Sequence, residues 1–79
     1  MLSAGNQARE AEVVSITLNG EHHSLPGPLT VRGLLRRLGL DEDAVAIERN
    51  RRIVARADWR GVLVGAGDRI EIVHFVGGG

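Results

Sequence analysis

Apolar and polar residues alternate early in the chain in a pattern that predicts a β-hairpin. Residues 14–18 read VSITL, and this two-residue period is typical of a half-buried strand. Asn19-Gly20 follows directly, and this pair favours a two-residue turn because both turn positions take positive φ. The return strand is predicted over residues 21–25, and the proline-rich segment 26–28 ends it. The first structural unit is therefore an antiparallel pair of strands.

A different period appears next and predicts one short helix. Thr30 is a suitable N-cap, and Gly39 suits the position just after the helix, where the backbone turns left-handed. Between them, apolar side chains recur at the spacing that places them on one helical stripe: Val31, Leu34, Leu35 and Leu38. This stripe predicts a helix that packs one face against a sheet.

The second half of the chain predicts three more strands. They are expected near residues 44–48, near 52–54 and over 69–76, with a helical turn at 57–59 and a tight turn at 65–68. The order strand, strand, helix, strand, strand, strand predicts an α+β domain with one helix on a small mixed sheet. We expect the first and last strands to lie side by side and parallel at the centre of that sheet.

Length and polarity divide the 79-residue chain into three parts. Residues 1–12 are small and polar without apolar periodicity, and they are predicted to form a mobile N-terminal extension. Residues 13–76 are predicted to form the folded domain. Gly77, Gly78 and Gly79 then form a flexible tail, because glycine has no Cβ to restrict the backbone.

Composition excludes several classes of function. The chain has no cysteine, which excludes disulfides, thiolate metal sites and a cysteine nucleophile, and it has no lysine for Schiff-base chemistry. The formal net charge is zero, which argues against a nucleic-acid binder. No segment resembles a signal peptide or a membrane span, so the cytoplasm is the expected compartment and no membrane partner is expected. Phe75 and Trp59 are the only aromatic residues, so Val, Ile and Leu are expected to build the interior.

The three histidines do not predict a metal site. A two-residue loop pairs Leu18 with Glu21, and His22 and His23 then point to opposite faces of the return strand. They cannot chelate one ion together with His74. We therefore predict no bound metal.

The remaining polar clusters also lack the features of a catalytic centre. Residues 41–43, with sequence DED, follow the helix and are expected to form a solvated connection. Ser15 and Ser24 lie on strands without Asp and His partners in a triad-like placement. The glycines lack the strand–turn–helix context and the lysine of a phosphate-binding loop. The glycine tail is therefore the strongest candidate for a functional element.

The strand before the tail carries apolar residues on two faces. Ile70 and Ile72 suit the core, whereas Val73 and Phe75 lie on the opposite face and Val76 follows them. An exposed apolar patch on a small domain often marks an interface, which predicts partner docking by these three residues. The alternative is that the chain covers this face or that a β-bulge redirects its residues.

Several of these segments resemble a known family in their order and spacing. The resemblance rests on the turn at 18–20, the helix over 30–38, residues 45–50, Ile53-Val54 with Trp59, residues 67–72 and the terminal glycines. It spans residues 13–79 and is a resemblance to the thiamine-pathway sulfur carriers, the ThiS family. One departure is Arg51-Arg52 after Asn50, where a turn glycine would be expected.

This resemblance implies both a fold and a function. The implied fold is a ubiquitin-like β-grasp domain, with a mixed sheet of about four to five strands on one helix and a flexible C-terminal glycine tail. The Gly79 carboxylate would be adenylated by an E1-like, ThiF-like enzyme, converted to a thiocarboxylate and used by a ThiG-like thiazole synthase. The chain would be a carrier and not an enzyme, with no bound cofactor. ATP and the sulfur source would act through the partner, and the free carrier would be a monomer.

Two alternatives remain open at this point. A related carrier, similar to the small subunit of molybdopterin synthase, would use the same tail chemistry in another pathway. A plain protein-interaction module would carry the glycines incidentally, and it would keep its activity when Gly78 and Gly79 are removed.

Overall fold

The computed structural model describes residues 13–76. Its seven strands and one helix are, in chain order, β1 Val14–Leu18, β2 Glu21–Leu25, β3 Leu29–Thr30, α1 Val31–Leu38, β4 Val45–Arg49, β5 Arg52–Ile53, β6 Leu63–Val64 and β7 Arg69–His74. Short 3-10 turns lie at Glu42–Ala44 and Arg56–Asp58. Residues 1–12 and 77–79, which were predicted to form the mobile extension and the flexible tail, lie outside the described residues.

Five strands form the main sheet in the order β2-β1-β7-β4-β5. The strands β1 and β7 pair in parallel at its centre, and the other neighbours are antiparallel. This confirms the predicted α+β fold and the central placement of the first and last strands. The sequence did not predict β3 and β6, which pair with each other as a separate two-stranded sheet.

The β1–β2 hairpin has the predicted geometry. Leu18 pairs with Glu21, and the intervening Asn19 and Gly20 have φ of 49° and 83°. Positive φ at both positions matches the right-handed twist of the two strands. The predicted hairpin register is therefore confirmed.

Both predicted ends of α1 are also confirmed. The Thr30 hydroxyl accepts a hydrogen bond of 3.0 Å from the Gly33 N–H, which satisfies a donor that the first helical turn leaves free. At the other end Gly39 has φ of 72°, and its N–H donates back to the carbonyls of Leu35 and Arg36. These caps limit the helix to about two turns.

The core lies between α1 and the main sheet and is almost entirely aliphatic. Its buried residues are Val14, Ile16, Leu25, Val31, Leu34, Leu35, Val45, Ile47, Trp59, Val64, Ile70 and Ile72. The expectation of a purely Val, Ile and Leu interior is wrong in one respect, because Trp59 is only 3% exposed. Its indole N–H donates 2.9 Å to the Val54 carbonyl, so the polar group of the buried ring is satisfied.

Some predicted boundaries move by one or two residues. The last strand was predicted over 69–76, but β7 ends at His74. The third predicted strand is shifted by one residue, to Val45–Arg49, because the preceding residues form a 3-10 turn.

No helix among residues 13–76 has the length and apolar character of a membrane-spanning segment.

The turn between β4 and β5 accommodates the arginine that replaces the expected glycine. Asn50 and Arg51 both have positive φ, 52° and 70°. Asn50 tolerates this conformation well, and its carboxamide oxygen accepts a hydrogen bond of 2.9 Å from the Arg69 N–H. The Asn50 N–H in turn donates 2.7 Å to the Arg69 carbonyl. These bonds to β7 hold the turn without a glycine.

Candidate functional site

The last described residues present an exposed apolar surface, which we call the β7 patch: Val73, Phe75 and Val76. Their exposed fractions are 51%, 59% and 93%. Ile70 and Ile72, on the opposite face of β7, are buried in the core. The prediction that these residues are exposed is confirmed, and residues 13–76 do not cover them. The register with β4 is continuous, so the alternative of a β-bulge in β7 is wrong.

A shallow apolar groove lies beside Phe75. It encloses about 220 Å³ and runs along β4 and the following loop, where Ala46, Ile53 and Val54 line it. Ile53 is 78% exposed, so it extends the apolar surface at the edge of the main sheet. Phe75 lines this groove, so the groove adjoins the β7 patch. Exposed apolar surface of this kind often marks a protein interface.

Backbone pairing holds the chain extended along β7 and as far as the N–H of Phe75. On one side, β7 pairs with β4 from Ile70 to His74, and the Phe75 N–H donates 2.8 Å to the Ala44 carbonyl. Residue 76 then leads directly to the glycines at 77–79. The sheet therefore fixes where the tail begins, although the geometry of Gly77, Gly78 and Gly79 lies outside the described residues.

Asn19 connects the first turn to β7, a contact that the sequence pattern does not predict. Its carboxamide oxygen accepts 2.7 Å from the Ile72 N–H, and its carboxamide nitrogen lies 3.4 Å from the Ile72 carbonyl oxygen. The Asn19 side chain thus makes the contacts to β7 that the backbone of one further β1 residue would make. Asn-Gly signals a turn in sequence, but nothing local indicates that its side chain reaches a strand 53 residues away.

A second buried polar cluster lies at the start of β7, and no pattern in the sequence predicts it. Asp68 is 9% exposed, and its carboxylate accepts three hydrogen bonds. Its carboxylate receives bonds of 3.0 Å from Arg49, 3.1 Å from the Asn50 carboxamide and 2.8 Å from the Gly65 N–H. The Arg49 bond is also an ion pair.

These contacts determine the charge state of Asp68. Burial is the largest single influence and acts to raise the pKa of Asp68, because it disfavours the charged form. The bonds from Gly65, Asn50 and Arg49, with the positive charge of Arg49, together outweigh it. The pKa of Asp68 therefore lies below its ordinary 3.8. This cluster sits at the opposite end of β7 from the tail and stabilises the strand that carries it.

The acidic segment 41–43 was predicted to be a solvated connection, and Asp41 and Asp43 are exposed as predicted. The segment also makes specific contacts. The Asp41 carboxylate caps its own 3-10 turn by accepting from the Asp43 N–H. Glu42 pairs with Arg32 at 3.1 Å, and Asp43 contacts Arg56. Because these carboxylates pair with arginines of α1 and of the β5–β6 loop, the segment joins the helix to that loop.

No metal centre is found among residues 13–76, in which no three His, Asp or Glu side chains converge on one point. His22 and His23 lie on opposite faces of β2, as predicted. The candidate site is therefore the β7 patch, its groove and the glycine tail to which β7 leads.

Comparison with solved structures defines the class of protein. The chain superimposes on the crystal structure of the thiamine biosynthesis protein (ThiS) from Geobacter metallireducens with a TM-score of 0.74 and 30% sequence identity. The match covers 84% of this chain and 100% of that one. One helix packed on a mixed sheet with parallel first and last strands is the β-grasp arrangement of that structure, so this is a β-grasp protein.

Sequence comparison places the chain within that class. The model of the ThiS family matches residues 8–79, and the chain belongs to the ThiS family. The sulfur carrier protein ThiS of Bacillus subtilis is 42% identical over 50 residues, which cover 63% of this chain and 76% of that protein.

Two longer relatives carry a different name. Thiazole synthases of Magnetococcus marinus and Paramagnetospirillum magneticum are 44% and 42% identical to the chain over 66 residues. The chain spans 20% of the length of each of these proteins. The shared segment is therefore one part of a larger thiazole synthase chain in both organisms.

Proposed function

We propose that this chain is a sulfur carrier for thiazole formation in thiamine biosynthesis. The observation that carries the proposal is an exposed apolar strand end, the β7 patch, that leads directly into three glycines on a ThiS-family domain. The body supplies a docking surface, and the tail supplies a narrow stem that reaches into an enzyme. In this function the chain is a covalently loaded carrier and has no catalytic residues of its own.

The proposed chemistry takes place at the carboxylate of Gly79 and requires that carboxylate to be free. One of its oxygens attacks the α-phosphorus of ATP, and pyrophosphate leaves. The resulting acyl-adenylate is a good electrophile, so hydrosulfide (HS⁻) from the sulfur source displaces AMP, loses its proton and leaves a thiocarboxylate at Gly79. The ATP site and the sulfur source belong to the partner enzyme, which we propose is a ThiF-like adenylyltransferase.

The second proposed partner is a ThiG-like thiazole synthase, which would take the sulfur from the thiocarboxylate. The two thiazole synthases that contain a segment similar to this chain support this assignment. Two enzymes must then reach the same terminal atom in succession. A compact body with a thin, extended stem is suited to that exchange, because the stem can enter one active site and then the other.

The β7 patch predicts a docking role for Phe75. Phe75→Ala removes a side chain that is 59% exposed, so the free energy of unfolding should change little. The free energy of binding to the adenylyltransferase or the thiazole synthase should become less favourable by about 1 kcal/mol or more, as for aromatic anchors at interfaces. Titration calorimetry measures the affinity, and thermal unfolding measures the stability.

Leu63→Ala is the matched control for Phe75→Ala. Leu63 is similarly exposed, at 56%, but it lies on β6 in the separate two-stranded sheet. The Leu63→Ala variant should bind both enzymes with the affinity of the parent. Unchanged affinity of Phe75→Ala with a large drop in melting temperature would show that Phe75 serves the fold and not docking.

The stem predicts a separate role for Gly78. Gly78→Ala keeps the carboxylate, the charge and the length of the tail, but its methyl group widens the stem and restricts its dihedrals. We expect unchanged stability and nearly unchanged affinity, with slower thiocarboxylate formation or slower thiazole production. Single-turnover rates of both reactions measure the effect.

Gly61→Ala provides a comparison within the folded body. An added Cβ at Gly61 meets no other atom within 4 Å, so this variant should react at the parental rate. Parental rates for Gly78→Ala in both reactions would show that a flexible tether is sufficient. The requirement for a narrow stem would then have to be abandoned.

A further inference from the structure

The two edges of β7 differ in how far their backbone groups are hydrogen-bonded to neighbouring strands. On the edge that faces β4, the Phe75 N–H bonds to the Ala44 carbonyl, and the Asn50 N–H bonds to the Arg69 carbonyl. The backbone N–H and C=O groups of successive residues alternate in direction along a strand. Those of the odd-numbered residues 69–75 are therefore directed toward β4. The backbone N–H and C=O groups of residues 70, 72 and 74 are directed toward β1.

The edge that faces β1 is closed only as far as Ile72. The Ile70 carbonyl accepts 2.9 Å from the Asn19 N–H, and the Asn19 side chain bonds to both backbone groups of Ile72. At Asn19 the chain turns away into β2, so β1 has no residue beside His74. Among residues 13–76, the backbone N–H and C=O of His74 have no hydrogen-bonding partner.

This open edge is held in a strand conformation. His74 pairs with Val45 across the β4 side, and the next residue is anchored to Ala44. The backbone therefore loses little conformational freedom when a second chain pairs with it. Unpaired N–H and C=O groups on a preformed strand are the usual template for addition of an extended peptide.

We propose that an extended segment of the activating enzyme pairs with the open edge of β7 at His74. The occupant is an enzyme strand because the edge offers backbone groups in strand geometry and continues directly into the stem that the enzyme must receive. Pairing at this point would fix the direction in which the glycines leave the domain. The exposed side chains of the β7 patch would lie against the same enzyme surface. The inference rests on the proposed function and assigns a binding mode to it.

Amide hydrogen exchange of the unmodified chain tests the pairing directly. The His74 N–H should exchange rapidly in the free chain and about tenfold or more slowly in a complex with a ThiF-like adenylyltransferase without ATP. The Phe75 N–H, already bonded to Ala44, should be protected in both states and serves as the internal control. Rapid exchange at His74 in a complex that otherwise forms would overturn the proposal.

His74→Pro and His74→Ala test the same group by mutation. Proline removes the N–H of residue 74, which the β4 ladder does not use, and an open strand edge tolerates it. His74→Ala removes the imidazole and keeps the N–H. We expect His74→Pro to weaken binding of the adenylyltransferase about three- to tenfold and His74→Ala to leave it unchanged.

These outcomes separate the binding mode from the function. If the parent becomes a thiocarboxylate and both variants bind equally well, the edge pairing is wrong and the carrier function stands. If the parent binds the enzyme with protection at His74 but never gains sulfur, the edge pairing stands and the carrier function is wrong.

Discussion

Deletion of Gly78 and Gly79 is expected to abolish adenylation and leave the fold intact. The tail follows the last strand-paired residue, so its removal should change the free energy of unfolding by no more than about 0.5 kcal/mol. The shortened chain would carry its carboxylate on Gly77, two residues short of the activating centre. Pyrophosphate exchange with the adenylyltransferase measures adenylation, and chemical denaturation measures stability.

The truncated chain also supplies its own control. It keeps the β7 patch and the open edge of β7, so it should compete with the parent for the enzyme and inhibit its adenylation. A truncated chain that still supports pyrophosphate exchange at the parental rate would contradict the carrier function. Such a result would favour a plain interaction module in which the glycines are incidental.

Removal of the Asp68 carboxylate is expected to cause a large loss of stability. Asp68→Ala leaves Arg49, the Asn50 carboxamide and the Gly65 N–H without their shared acceptor. Because hydrogen bonds to charged groups are strong and the site is largely buried, the free energy of unfolding should fall by about 2 to 3 kcal/mol. Asp58→Ala is the matched control, since Asp58 is exposed, and it should change stability little.

The lowered pKa of Asp68 adds a pH dependence with a defined sign. A carboxyl group whose pKa is lower in the folded chain stabilises it fully above the unfolded-state pKa, which is ordinarily 3.8. That contribution is lost as the pH falls from 3.8 through the lower pKa of the folded state. The stability difference between the parent and Asp68→Asn should therefore shrink with acidification below pH 4 or so. A constant difference across this range would contradict the assigned shift.

The parts of the fold that local signals specify were predicted from the sequence. Asn19-Gly20 fixed the hairpin register because its turn allows only one pairing, and Thr30 and Gly39 marked the ends of the helix because each satisfies a helix terminus. The two-residue strands β3 and β6 were missed, because two residues show no periodicity. Their pairing depends on how the chain folds back in three dimensions.

The candidate site was predicted only in part for the same reason. Alternation along β7 correctly placed Val73 and Phe75 on the exposed face. The contacts that hold β7, from Asn19 to Ile72 and from Asp68 to Arg49, join residues far apart in sequence. A polar residue beside a turn usually faces solvent, so no local pattern distinguishes Asn19 and Asp68 from ordinary turn residues.

Gly79 is proposed to accept sulfur, and the intact mass of the chain shows whether it does. The chain is incubated with a ThiF-like adenylyltransferase, ATP and a sulfur source, and the product is fragmented. We predict a mass gain equal to the exchange of one oxygen atom for one sulfur atom, located at Gly79 and absent when ATP is omitted. An unchanged mass with an active enzyme, or sulfur located elsewhere in the chain, would contradict the account.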